Sequence, residues 1–253
     1  MPRYSKNYLT HVIIKVDFNN MLPIDDNLPS AILEVAQKTF PLLEPTPVIH
    51  SKIDFSADGV TVTKEEKGIE WRFYGANKEK TLVIAREGRH REKTAITIDY
   101  SKYESFNSLK DEFLSILNKC AEVFPEAKIG RIGLRYVNNI NINERNPLSW
   151  NNYINAALLS NFRFADDKKS ISRVFSNFEM KYDDMSIKFQ FGMHNPDYPS
   201  PIKKKIFILD YDVYYNGICD KNDVPDMIDK YHDKIISLFE RSIKDRLRDK
   251  MNA

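Results

Sequence analysis

The sequence predicts an α+β protein built from two similar halves, each an antiparallel sheet with helices packed on one face. Three observations carry this. Runs of alternating apolar and polar residues mark strands, and apolar stripes at helical spacing mark helices between them. The order of a lone strand, a helix, a meander and a long helix then occurs twice, which is a repeat signal at the supersecondary level. Residues 10–124 read β-α-β-β-β-β-α and residues 130–250 read β-α-β-β-β-α. The expected halves are therefore 1–127 and 128–253, joined into one compact pseudo-symmetric unit. No residue-level identity links them, and one α+β domain with a coincident element order is the alternative.

The first strand is Thr10–Phe18, where Val12, Ile14, Val16 and Phe18 alternate with His11, Ile13, Lys15 and Asp17. Ser30 is placed to cap a helix that runs through Phe40 with Ile32, Leu33, Ala36 and Phe40 on its stripe. The segment PLLEPTPV holds three prolines and reads as an extended connection. Strand-like runs follow at Ile49–Phe55, Gly59–Lys64, Glu70–Tyr74 with Thr81–Arg86, and Thr94–Tyr100. Asp58-Gly59 and Glu87-Gly88 sit where hairpin turns are needed. Ser108 then opens an amphipathic helix with Leu109, Phe113, Ile116, Leu117 and Cys120 on one face, and Pro125 stops it.

The second half starts with the strand Gly130–Ile142. Ile132, Leu134, Tyr136 and Asn138 fall on one face, Arg131, Gly133, Arg135 and Val137 on the other. Pro147 and Ser149 introduce a helix from Trp150 to Leu159. Strands follow at Arg173–Tyr182, Met185–Met193 and Lys205–Tyr215. The closing helix is expected from Val224 to about Lys250, with Met227, Ile228, Tyr231, Ile235, Leu238, Phe239, Ile243 and Leu247 on one buried face. Its charged tail either extends beyond the body or, more usually, is solvated and frays.

Charge and cysteine content exclude several classes. Lys and Arg number 38 and Asp and Glu 36, a net +2 that predicts neither nucleic acid nor an anionic membrane as a partner. Cys120 and Cys219 stand alone, without metal-ligand spacing, as expected of free thiols in a reducing cytoplasm. The start of the chain has an apolar run too short for a signal peptide or a membrane span.

Chemical motifs are sparse. Gly130-Arg131-Ile132-Gly133 matches no phosphate-binding loop, and glycines in a strand usually mark a bulge or a close backbone approach. The five histidines are scattered, and no nucleophile elbow or catalytic cysteine context occurs, so no cofactor, metal or catalytic residue is expected. Cys120 lies on an apolar stripe and reads as core. Basic side chains are the exception. Arg72, Arg86, Arg89, His90, Arg91 and Lys93 occupy neighbouring strands and a turn, while Arg131 and Arg135 share a strand face. If those faces coincide, they form a positive surface for a single-stranded nucleic acid; otherwise they pair with acids such as Glu70.

Through Arg131-Ile132-Gly133-Leu134-Arg135-Tyr136-Val137-Asn138-Asn139-Ile140 the chain resembles a sporadically distributed bacterial family of about this length with no assigned activity. Ile208-Leu209-Asp210-Tyr211-Asp212 and the helix containing Tyr231-His232 and Leu238-Phe239 match more loosely. The resemblance implies a bacterial accessory protein of mobile or defence-related gene neighbourhoods, and it brings no catalytic residues. It flags Arg131, Arg135, Tyr136 and Asn138.

These readings lead to a non-enzymatic binding or assembly component in the cytoplasm, acting through a protein partner or as a homodimer. A single-stranded nucleic-acid binder, or a metal-independent RNA-processing enzyme, using the basic sheet face is the rival. A small-ligand sensor with its pocket between the halves is the third reading.

Overall fold

The computed structural model describes residues 4–24, 27–56, 59–87 and 93–253, and for 49–67, 87 and 163 the backbone alone. Among the described residues nine strands form one antiparallel sheet: β1 Leu9–Phe18, β2 Leu42–Ser56, β3 Gly59–Tyr74, β4 Lys80–Glu87, β5 Lys93–Tyr100, β6 Ile129–Asn141, β7 Val174–Lys181, β8 Ser186–Met193 and β9 Ile206–Cys219. Their order across the sheet is β2-β3-β4-β5-β1-β6-β9-β8-β7. The two expected sheets are thus one, joined where β1 pairs antiparallel with β6, Ile14 opposite Leu134. Each of these strands has hydrogen-bonding edges on both sides, and pairing them removes the bare edge that either half would otherwise present.

The helices α1 Ser30–Thr39, α2 Phe106–Val123, α3 Val224–Ser242 and α4 Asp245–Asn252 lie on one face of this sheet. The strand alternation supplies the core beneath them. Val12, Ile14, Val16 and Phe18 of β1, Ile96 and Ile98 of β5, and Ile132, Leu134 and Ile140 of β6 are buried there. The facing stripe of α2, from Leu109 to Cys120, and that of α3, Ile228, Tyr231, Ile235 and Phe239, close over it. Cys120 is a core residue, and burial pushes its thiol pKa up to about 12.

Several elements depart from the sequence reading. The proline-rich segment opens β2, an edge strand, where a residue without an N–H is tolerated. Gly59–Lys64 and Glu70–Tyr74 belong to one strand, β3, which kinks at a register shift opposite Pro47 and Ile49, with Gly68 at φ 101°. Ser30 is the first residue of α1, not its cap. The cap of α2 is Ser105, whose Oγ accepts from the Ser108 N–H. Asp58 and Gly88 lie outside the described residues.

Two helical expectations fail together for a tertiary reason. Trp150–Leu159 is not a regular helix: turns lead to a 3-10 segment, Ala156–Arg163, capped by Asn155. Ile154 instead bridges to Ile243, and Asn155 bonds the end of α3 through its N–H to the Ser242 carbonyl at 2.8 Å and through Nδ2 to Arg241 at 2.9 Å. Those contacts satisfy terminal carbonyls of α3 and stop the helix at Ser242. The chain then turns through extended Ile243, and α4 buries Leu247 and Met251 against the body. The charged tail does not project.

Candidate functional site

Alternation along β6 sends the flagged residues to opposite sides of the sheet. Tyr136 and Asn138 face the helices, whereas Arg131 and Arg135 face the side without them.

On the helix-bearing side, a cleft of about 530 Å³ opens over β1 and β6, between the start of α2 and the middle of α3. Its floor includes Leu9, Tyr136 and Asn138. Tyr103 to Asn107 form one wall, His232, Ile235, Ile236, Phe239 and Glu240 the other, and Tyr4, Asn7 and Met251 close one end. Tyr136 Oη lies 2.8 Å from His232 Nδ1 and 3.4 Å from Tyr103 Oη, so three polar tips form a chain along the wall. The His232 ring stacks on Phe106 with centroids 3.9 Å apart. Asn138, 4% exposed, donates from Nδ2 to the Leu209 carbonyl at 3.3 Å.

Burial dominates the electrostatics of these groups. It holds the Tyr136 hydroxyl well above its usual range and raises that of Tyr103. It lowers the pKa of His232, against the opposing pull of Asp233 and Asp229. The imidazole is therefore neutral at pH 7, and with its proton on Nε2 it accepts the Tyr136 hydroxyl at Nδ1. A mainly apolar cavity with a few convergent polar groups is the usual form of a small-molecule site.

On the opposite side, Arg135 holds Asp210 in a bidentate pair, Nε to Oδ1 at 2.8 Å and Nη2 to Oδ2 at 2.6 Å. Arg131 lies 3.7 Å from Asp212 and stacks 4.9 Å over the Tyr214 ring. Gly133 makes room for this: a Cβ there would sit 3.3 Å from the guanidinium. Gly130 accompanies a register shift between Ile129 and Arg131 and lies close against Asn19. With Lys15 beside Asp17 at 3.3 Å, this surface alternates cations with carboxylates. Burial raises the pKa of Asp212 despite its two arginine neighbours.

The remaining arginines are not brought to it. Arg72 pairs with Glu70 on the helix-free side, four strands from β6 in the sheet order, or roughly 19 Å at the usual strand spacing. Arg86 shares the helix-bearing face with Ile84 and reaches the Leu22 carbonyl at 3.4 Å. Arg89 and Arg91 lie outside the described residues, as does His90. Among the described residues no three His, Cys, Asp or Glu side chains gather as metal ligands, and no helix is long and apolar enough to cross a membrane.

Sequence reasoning found the floor of the cleft and missed most of its walls. His232 was legible only as part of Tyr231-His232 in the family-like helix. Tyr103 lies in the loop after β5, where no periodicity operates. Tyr4 and Glu240 meet through a 2.6 Å hydrogen bond that no spacing foretells.

No protein-family model and no curated protein matches the chain. Among solved structures, "Crystal structure of the di-domain ARO/CYC StfQ from the steffimycin biosynthetic pathway" aligns over 95% of this chain and 96% of that one. Its sequence identity is 8% and the TM-score is 0.19, a likeness that establishes neither fold nor function.

Proposed function

We propose that the chain is a non-enzymatic binding component of a bacterial accessory system, cytoplasmic, whose ligand is a small molecule held in the cleft between α2 and α3. One observation carries the reading: two residues of the family-like stretch, Tyr136 and Asn138, floor a cavity of about 530 Å³ and join His232 of the second family-like stretch there. The strand order on either side of the β1–β6 pair fits descent from a duplicated half, with the cleft at the junction. Native mass spectrometry of the full chain after incubation with a small-molecule extract of host cells tests the reading. A bound mass that disappears in Ile236→Trp, which fills the cavity, is expected; an identical spectrum for both proteins defeats it.

A protein partner is favoured by a separate observation. β7 is an edge strand, and its Phe175 and Phe178 are 47% and 54% exposed. Light scattering of the wild type and of Phe175→Lys/Phe178→Lys checks whether this edge self-associates. For the single-stranded nucleic-acid reading, the acid partners of Arg131 and Arg135 leave little unbalanced positive charge on the central strands.

A further inference from the structure

The cleft has a charge sign as well as a shape. Its lining contains the carboxylates of Glu104 and Glu240 and neither a lysine nor an arginine. Glu240 is already engaged, accepting from the Tyr4 hydroxyl at 2.6 Å and from Arg248 Nε at 3.0 Å. Glu104 is different. It stands exposed at the mouth, in the loop between β5 and α2, and among the described residues it makes no hydrogen bond or salt bridge. The neighbouring Lys102 feels its charge but bonds Glu79 at 3.0 Å and lies outside the cleft lining.

Beside this carboxylate stands the ring of Tyr103, whose face attracts positive charge through its quadrupole, while one face of Phe106 is covered by His232. An anionic ligand in the cleft would meet a carboxylate at the mouth and no cation in the lining. A neutral one would leave that carboxylate unused. We propose that the cleft takes a small amphipathic organic cation, its apolar body against Ile235 and Ile236 and its ammonium group at Glu104. This rests on the cleft being the ligand site.

Three molecules sharing one ring system separate the possibilities: tryptamine, a cation; tryptophol, its neutral alcohol counterpart; and indole-3-acetate, an anion. Calorimetric titration at low salt of the full chain is expected to give tryptamine at least tenfold tighter binding than tryptophol, with indole-3-acetate weakest. Glu104→Gln, a change at an exposed loop position, is expected to abolish the advantage of the amine while leaving tryptophol unchanged. Ile236→Trp is expected to weaken all three. Equal affinities for amine and alcohol, or tightest binding of the acid, overturn the charge assignment and leave the cleft reading standing. Failure of all three to bind, or binding that ignores Ile236→Trp, removes the cleft as a site and the assignment with it.

Discussion

Lys205 Nζ lies 2.7 Å from Glu144 Oε2 with its side chain 1% exposed, enclosed by the rings of Trp150 and Tyr153 at 5.2 and 4.8 Å. The pair anchors the irregular segment after β6 to the start of β9. Glu144 keeps Tyr153 and Arg246 as partners when the ammonium is removed, so the loss in Lys205→Ala comes from the cavity left between the two rings, and a lower midpoint in chemical denaturation is expected. The same substitution at exposed Lys204 is expected to cost almost nothing.

Glu144 also sets a pH response. Lys205 and Tyr153 hold its carboxyl down to about 2. A depressed folded value stabilises above the unfolded one, and that contribution is lost as pH falls from about 4.5 toward 2. Glu144→Gln is expected to flatten the acid limb of a plot of denaturation midpoint against pH.

His232 acts in a higher range. Its folded pKa is lowered from 6.5 by burial, so the unfolded chain takes up the proton first as pH falls. Its contribution is therefore complete above pH 6.5 and declines below it. In denaturant titrations from pH 7.5 to 5, the wild type is expected to lose more stability than His232→Gln. A parallel decline in both proteins would contradict the neutral imidazole.

Arg135 and Asp210 predict a structural effect before a binding one. Asp210 is 7% exposed, and Arg135→Ala leaves its carboxylate without its main partner, for an expected loss of about 2 kcal/mol. Pairing it with Asp210→Asn in a double-mutant cycle is expected to recover part of this. Single-stranded RNA titrated against wild type and Arg131→Ala/Arg135→Ala is expected to show no steep salt-dependent difference.

The helix α4 supplies a fifth contrast. Leu247 is fully buried in α4, so Leu247→Ala is expected to destabilise by about 3 kcal/mol, while the exposed Asp249→Ala is expected to be nearly silent.

Legibility followed the range of the interactions involved. β1, β5 and β6 declare themselves because each has one face against helices and one without, and Val12–Val16 or Ile132–Leu134 record that alternation locally. The break after Ser242 is invisible in the helical stripe, which runs on through Leu247, because Ile154 and Asn155 impose it from a distant part of the chain. Within the cleft, Tyr136 and Asn138 were visible as strand residues of the right parity. Their distance from His232, and the separation of Arg131 from Arg72 across the sheet, depend on strand order, which periodicity does not encode.

The pairing of β1 with β6 sets an order for biogenesis. A chain emerging from the ribosome can complete everything through α2 and still display β1 with one ladder of amides unmatched, until Ile129–Asn141 follows. Cleavage between Phe124 and Ile129 would leave two fragments, each with a raw border that the other fits, and mixing them should restore the whole.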